Sequence, residues 1–286
     1  MLSVLLAAMI EPPAIEFRAM TFNIWIGGTQ YQPLEQTVKV IETAKADIVG
    51  IQEPAESLAK IAEGLKWNYS DKASVVTRYE IVEDWKFGGD NRWGGVKLKL
   101  PDGRLILFLN DHLNPYPYGP YEVRDGKATT HDALVKVDET SGRIRQMKRI
   151  LDDLAARPDR DLPVVLTGDF NTPSHLDWIE ATKERNFGIT MRWPVTLMAE
   201  EAGFKDGFRV VHPDPKAKPG FTWSPGYPVP NLEPDDVMDR IDFVIYRGAL
   251  TPTAAEVVAE KGPVTDIAID PWPSDHRAVV VTFRLN

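Results

Sequence analysis

Residues 163–171 read Pro163-Val164-Val165-Leu166-Thr167-Gly168-Asp169-Phe170-Asn171. Pro163 to Thr167 is an apolar run of strand length, and it delivers a carboxylate, Asp169, and an amide, Asn171, just past its end. The same arrangement recurs along the chain. Phe17–Ile24 alternates as a strand and carries Asn23 near its end, and Asp47–Gln52 is a short buried strand that runs straight into Glu53. Asp111 and His112 follow Leu105–Leu109, Asp242 sits early in Ile241–Tyr246, and Asp275 and His276 precede the closing run Ala278–Leu285. Taken singly, a strand-end Asp or Asn is a turn or cap residue, and a lone His is a satisfied packing group. If neighbouring strands bring these ends together, however, one cleft gathers five carboxylates (Glu53, Asp111, Asp169, Asp242, Asp275), three amides (Asn23, Gln52, Asn171) and two imidazoles (His112, His276). Carboxylate and amide oxygens suit a hard cation such as Mg²⁺ or Mn²⁺ better than a structural zinc.

Amphipathic helices punctuate the strands. Leu34, Val38 and Ile41 mark one over Pro33–Ala46, Leu58, Ile61, Ala62 and Leu65 another, and Ile144, Met147, Leu151 and Leu154 a third. Ser174 and Asp177 read as an N-cap pair opening a helix at Trp178, and Pro194 and Gly203 bracket a short one. Two segments, His112–Gly142 and His212–Asp236, read as long ordered loops rich in aromatic residues and proline, among them Tyr116, Tyr118, Tyr121, Phe221, Trp223 and Tyr227. The pairs Gly27-Gly28, Gly88-Gly89 and Gly94-Gly95 read as turns. No linker or repeat divides the chain, so one domain is expected over residues 16–286. The pattern predicts an α+β (α/β) fold with two packed sheets covered by helices; a doubly wound parallel sheet is the alternative, disfavoured by the strand-rich last third.

Composition narrows the function further. The chain has 286 residues, a formal net charge of −9 and no cysteine. That excludes disulfides, thiolate metal sites and a cysteine nucleophile. It also weakens the case for holding long nucleic acid by broad phosphate neutralisation. There is no Gly-Lys-Ser/Thr phosphate loop, nucleophile elbow, His-Glu-x-x-His pair or dinucleotide fingerprint. Leu2–Ile10 is apolar but shorter than the ~20 residues that span a bilayer. Without a basic flank, it leaves residues 1–15 open between a secretory leader and a frayed start, and localisation open between secreted and cytoplasmic.

The joint pattern resembles the endonuclease/exonuclease/phosphatase superfamily of metal-dependent phosphoesterases, across Met20 to Phe283. Met20-Thr21-Phe22-Asn23 is similar to its opening strand, Ile48 to Glu53 to its Gln-Glu metal motif, and Val75-Val76-Thr77-Arg78 to its Ser-Arg strand. Asp111-His112-Leu113 resembles its Thr-His-Leu segment, and Arg145-Gln146-Met147 the helix that follows. Gly168-Asp169-Phe170-Asn171 is the most specific match, completed by Asp239 to Val244 and Ser274-Asp275-His276. Two departures stand out. Asp111 replaces the family's usual threonine, adding a negative charge that either joins the metal shell or raises the basicity of His112, and Arg277-Ala278 follows His276 where proline is common.

The resemblance implies a four-layer α-β-β-α sandwich of the DNase-I-like type and divalent-metal-dependent hydrolysis of phosphate esters, with Mg²⁺ or Mn²⁺, or Ca²⁺, as cofactor. It implies Glu53 as principal metal ligand with Asn23 and Asp275. It implies Asp169 as the group that orients or deprotonates the attacking water, with Asn171 holding that water or a phosphate oxygen. His276 would contact the phosphate or serve as general base, kept in its tautomer by Asp242, and His112 would protonate the leaving group or donate to the phosphate; either histidine could take the acid role. Arg78 is expected to pair with a carboxylate, while His131, His175 and His212 are left to packing. The favoured substrate is a small or lipid-derived phosphate ester. A DNase-type nuclease and an inactive binding module on the same fold are the alternatives. The chain is read as a monomer with no transmembrane segment.

Overall fold

A computed structural model describes residues 14–226, 231–232 and 236–285. The segment 1–15, read as either a leader or a frayed start, therefore lies outside the described residues up to position 13, while Ile15 pairs with Leu285.

Two mixed sheets pack face to face. The first runs β12 (Ile267–Ala268), β11 (Leu250–Ala259), β13 (Ala278–Leu285), β1 (Ile15–Asn23), β2 (Ile48–Gln52), β4 (Val75–Thr77), β3 (Asn68–Ser70). The second runs β5 (Glu80–Lys86), β6 (Gly94–Lys99), β7 (Leu105–His112), β8 (Val164–Asp169), β10 (Asp242–Arg247), β9 (Lys205–Asp206). Helices α2 (Leu34–Thr43) and α3 (Leu58–Leu65) cover the first sheet; α6 (Arg143–Ala156) and α7 (Pro194–Glu201) cover the second. Helix α5 (His131–Ser141) and the short helices α1 (Trp25–Gly28), α4 (Gly119–Arg124) and α8 (Gly207–Val211) are the other α-helices among the described residues. This is the layered sandwich expected, not the doubly wound sheet.

The two-residue period of each strand sorts its side chains between the layers. In β1, Phe17 and Ala19 join the core between the sheets, while Met20 and Phe22 pack outward against α2 and α3. In β7, Ile106 and Phe108 face the other sheet, and Leu107 and Leu109 face α6. In β8, Val165 faces inward and Val164 and Leu166 outward. Each fully buried Val, Leu, Ile, Phe or Met among these contributes about 1.5–3 kcal/mol relative to leaving it exposed. Extending the parity to the strand ends puts Asn23, His112, Asp169 and Asp242 on the inner faces. The same parity turns Asp111 outward.

Three readings are corrected. His112–Gly142 is not one long loop, since α4 and α5 lie within it. No α-helix opens at Trp178: a turn leads to a 3-10 segment at Glu180–Thr182, because Asp177 is taken by the buried guanidinium groups of Arg209 and Arg240 (2.5 and 2.9 Å). Gly94-Gly95 starts β6 and is not a turn; a Cβ on Gly94 would lie 1.9 Å from the Trp85 carbonyl oxygen, and one on Gly95 2.4 Å from the Trp85 ring. Within the described part of 212–236, one isolated bridge joins Trp223 to Asp239, in line with the loop expected; Tyr227 lies outside the described residues.

Candidate active site

β1 and β2 run parallel with Asn23 opposite Gln52, and β7 and β8 run parallel with His112 opposite Asp169. β10 runs antiparallel to β8, so its first residue, Asp242, also meets Asp169. The ends therefore meet where the seam between the sheets opens. Two residues just past their strands adopt left-handed backbone, Glu53 (φ 56°) and Asn171 (φ 50°), turning the chain sharply at the rim. Ser274 donates to the Asn23 carbonyl (2.7 Å) and accepts from the His276 N–H (3.1 Å), tying the last loop to the end of β1.

Asp169 is the hub. Its Oδ2 accepts from Asn23 Nδ2 (3.0 Å) and lies 3.5 Å from His112 Nε2 and 3.6 Å from His276 Nε2; its Oδ1 accepts from the Asn171 backbone N–H (2.9 Å). His276 Nδ1 is 3.0 Å from Asp242 Oδ2. Asn23 Nδ2 reaches Glu53 Oε1 at 3.5 Å, and Glu53 Oε2 accepts from the Ile26 N–H (3.0 Å). Asn171 gives one amide N–H to the Leu113 carbonyl (3.0 Å). A pocket of about 240 Å³ exposes Glu53, His112, Asp169, Asn171, Asp275 and His276 together.

These contacts set the charges. Burial, then the neighbouring Asp242 carboxylate, pushes Asp169 up to about 7. Burial alone would depress the His276 imidazole, but Asp242 and Asp169 together raise it to about 10, so it is a cation at neutral pH. His112 goes the other way: burial, the Arg92 guanidinium and the His276 charge hold it well below the ordinary histidine value, hence neutral.

Of the ten polar residues expected to converge, the structure brings eight together. Gln52 is turned into the core, where it donates to Asn110 Oδ1 (2.7 Å) and accepts from Thr21. Asp111 is buried on the opposite side of β7 from His112, accepting from Asn91 and from the N–H groups of Arg92 and Trp93. It therefore neither reaches the metal shell nor touches the imidazole. Arg78 pairs with Asp47 at 3.6 Å, as expected. His175 bonds Thr196 and Glu200, and His212 the Ala255 carbonyl, both outside the site. Sequence reading missed Trp25, Ile26 and Pro115, which line the pocket beside Tyr116, Tyr118, Tyr121, Trp223 and Ile241. Trp25 could have been flagged by its place two residues after Asn23. The Trp223 ring lies 4.7 Å from the His276 ring, and its indole N–H donates to Tyr121 (3.0 Å).

A divalent ion fits the donor set. The pocket presents three carboxylates (Glu53, Asp169, Asp275) with no Lys or Arg among its described lining residues, a charge concentration that a hard dication would neutralise. Single ligand atoms of Asp169, Asp242 and His276 also lie within 4.8 Å of one another. In that cluster the His276 imidazole is paired with Asp242, so Glu53 and Asp275 are the better donors. Asn23 turns its amide nitrogen to Glu53 and Asp169 and its Oδ1 to the Trp25 N–H (3.0 Å), and would join them by turning that oxygen inward.

The comparisons agree with this architecture. An uncharacterised Caenorhabditis elegans protein is 32% identical over 289 residues, covering 93% of this chain and 90% of that protein. An endonuclease/exonuclease/phosphatase from Beutenbergia cavernae is similar in structure (TM-score 0.58, 17% identity, 95% of this chain and 72% of that one). So is truncated TDP2 of C. elegans (TM-score 0.55, 19% identity, 94% and 97%). So too is Danio rerio TDP2 complexed with a single-strand DNA product (TM-score 0.58, 14% identity, 94% and 98%). At these identities the structural likeness speaks to the fold alone. The model of the Endonuclease/Exonuclease/phosphatase family, whose members are generally divalent-metal-dependent phosphoesterases, matches residues 20–276. With its model spanning nearly the whole sandwich, the chain belongs to the endonuclease/exonuclease/phosphatase family.

Proposed function

We propose that this chain is a metal-dependent phosphoric ester hydrolase acting on a small-molecule or lipid-derived phosphate ester. The observation that carries the reading is the pocket itself. Catalytic carboxylates and imidazoles line one part, Trp25, Tyr116, Tyr121 and Trp223 line another, and beyond the reacting centre, where His276 is the one cation, no Lys or Arg is among the described lining residues. A polyanion needs flanking cations to neutralise its neighbouring phosphates. An isolated phosphate ester with an apolar or aromatic group needs only the reacting centre and the rings.

Glu53, Asn23 and Asp275 would hold the cation, Mg²⁺ or Mn²⁺, which when bound supplies charge stabilisation at the phosphoryl group and the departing oxygen. The remaining steps fall to side chains. Asp169, raised to about 7, is matched to take a proton from the attacking water near neutral pH. The Asn171 amide orients that water or a phosphoryl oxygen. Cationic His276, steadied by Asp242 on Nδ1, donates from Nε2 to the phosphoryl oxygens as charge develops in the in-line displacement. Neutral His112 donates to the phosphate or the leaving oxygen.

A nuclease is the second reading, favoured by one feature: aromatic rings at a pocket mouth can stack the bases of a single strand. An inactive binding module would have lost Glu53, Asp169 or His276, and all three are in place. The test is one substrate panel with Mg²⁺ and Mn²⁺: bis(p-nitrophenyl) phosphate, p-nitrophenyl phosphate, plasmid DNA and a single-stranded oligonucleotide. Hydrolysis of a p-nitrophenyl ester without nicking supports the proposal. Efficient cleavage of either DNA with negligible ester hydrolysis overturns it.

A further inference from the structure

We propose that Arg92 is a positioning residue that holds His112 in the tautomer with its proton on Nε2, making that imidazole a fixed hydrogen-bond donor to the reacting phosphate and not a base. The role rests on the phosphoesterase reading above; the tautomer does not.

Arg92 Nη1 lies 3.3 Å from His112 Nδ1. A guanidinium only donates, so Nδ1 must present its lone pair, and a neutral ring then carries its hydrogen on Nε2. That nitrogen points into the site, 3.5 Å from Asp169 Oδ2. His276 is set the opposite way. Its Nδ1 faces Asp242 Oδ2 at 3.0 Å, an acceptor, and so must carry a proton. The two rings that flank Asp169 are thus distinguished by what stands behind them, a guanidinium for one and a carboxylate for the other. The sequence left the assignment of these two histidines open, and the partners on Nδ1 resolve it: proton traffic belongs to Asp169, His276 and Asp242, while His112 only donates.

An exposed arginine on a loop would ordinarily be too mobile for such a task. Here the loop is pinned by the adjacent residue of the same strand. Asp111 Oδ1 accepts from the backbone N–H of Arg92 (3.0 Å) and of Trp93 (3.2 Å), and its Oδ2 accepts from Asn91 Nδ2 (2.5 Å). Asn91 also donates to the Gln146 carbonyl on α6 (3.2 Å). The end of β7 therefore presents the imidazole on one face and, on the other, anchors the loop that fixes the imidazole's tautomer. The aspartate that departs from the family's usual threonine gains a task by this route: it acts on His112 through Arg92.

The experiment uses the full chain labelled with ¹⁵N-histidine and long-range ¹H–¹⁵N correlation spectra, with the His112 signals assigned from His112→Gln. Wild type should show His112 protonated on Nε2 and bare on Nδ1. Arg92→Met, which keeps the aliphatic stem but cannot donate, should give a mixture of tautomers. It should also lower kcat for bis(p-nitrophenyl) phosphate about 10- to 100-fold with KM little changed, the usual scale for losing an orienting partner. Arg92→Lys, which still donates, should restore the wild-type spectrum and most of kcat. A His112 protonated on Nδ1 in wild type, or a wild-type spectrum in Arg92→Met, overturns the proposal. Because the spectra need no substrate, they decide the tautomer even if no ester is turned over, so failure of this inference and failure of the functional reading are told apart.

Discussion

Asp242→Asn removes one charge from behind His276 while keeping a side chain that can still accept from Nδ1. Its effect can be worked from the structure. His276 rises from an ordinary 6.5 to about 10, and Asp242 is the largest of the groups that raise it. A histidine whose folded-state value lies above its unfolded one contributes stability that is fully present below the unfolded value, and that stability is lost as pH climbs through the folded one. At 1.36 kcal/mol per unit, wild type should lose about 3 kcal/mol between pH 6.5 and about pH 9 through this group. Asp169 does not mimic the effect, because an acid raised to about 7 shows its own loss below that value. The assay is urea unfolding in metal-free buffer at several pH values across that window. Asp242→Asn should flatten the slope by at least half and lower kcat by about 10²–10⁴ through loss of the fixed imidazolium. Parallel stability curves for the two proteins would refute the reasoning, since they would mean that His276 is not held as a cation by Asp242.

Two further outcomes follow from packing. Gly50→Ala places a Cβ 2.1 Å from Thr167 Oγ1 and 2.6 Å from Asn110 Oδ1, side chains of the facing sheet. It should cost about 1–3 kcal/mol or more in urea unfolding; an unchanged midpoint would show that the seam can give way. Asp138→Ala strands the fully buried Arg143, which pairs with Asp138 at 2.6 Å and donates to the carbonyls of Asn114, Pro115 and Pro117. A loss of about 3–5 kcal/mol is expected; a loss under about 1 kcal/mol would mean that the pair does not brace the loop carrying Tyr116.

What the sequence disclosed follows from where the information lies. Apolar runs with polar residues at their ends are local signals, and the strands that end at Asn23, His112 and Asp169 could be read from them. Which of those polar residues share a face depends on strand parity and register, and there the reading was incomplete. Gln52 sits on the inner face but is spent on Asn110, and Asp111 faces out of the cleft. Helix α5 escaped because it is not held by an apolar stripe. Its buried residues are Leu134, Asp138 and Ser141, and Asp138 is there to meet Arg143. The N-cap pair at Ser174 and Asp177 failed for a similar reason, as Asp177 answers to Arg209 and Arg240, 32 and 63 residues away. Arg92 belongs to no motif, and its relation to His112 exists only once β7 and the β5–β6 loop are folded.

The central claim is that the strand ends around Asp169 form a divalent-metal-dependent phosphoester hydrolase. Its most direct test is the rate of bis(p-nitrophenyl) phosphate hydrolysis by wild type and Asp169→Asn at neutral pH, each with saturating Mg²⁺ or Mn²⁺ and with excess EDTA. The account predicts metal-dependent turnover by wild type, abolished by EDTA and lowered about 10²–10⁴-fold in the variant, which should remain folded. Turnover that survives EDTA, or that is the same in Asp169→Asn as in wild type, would contradict it.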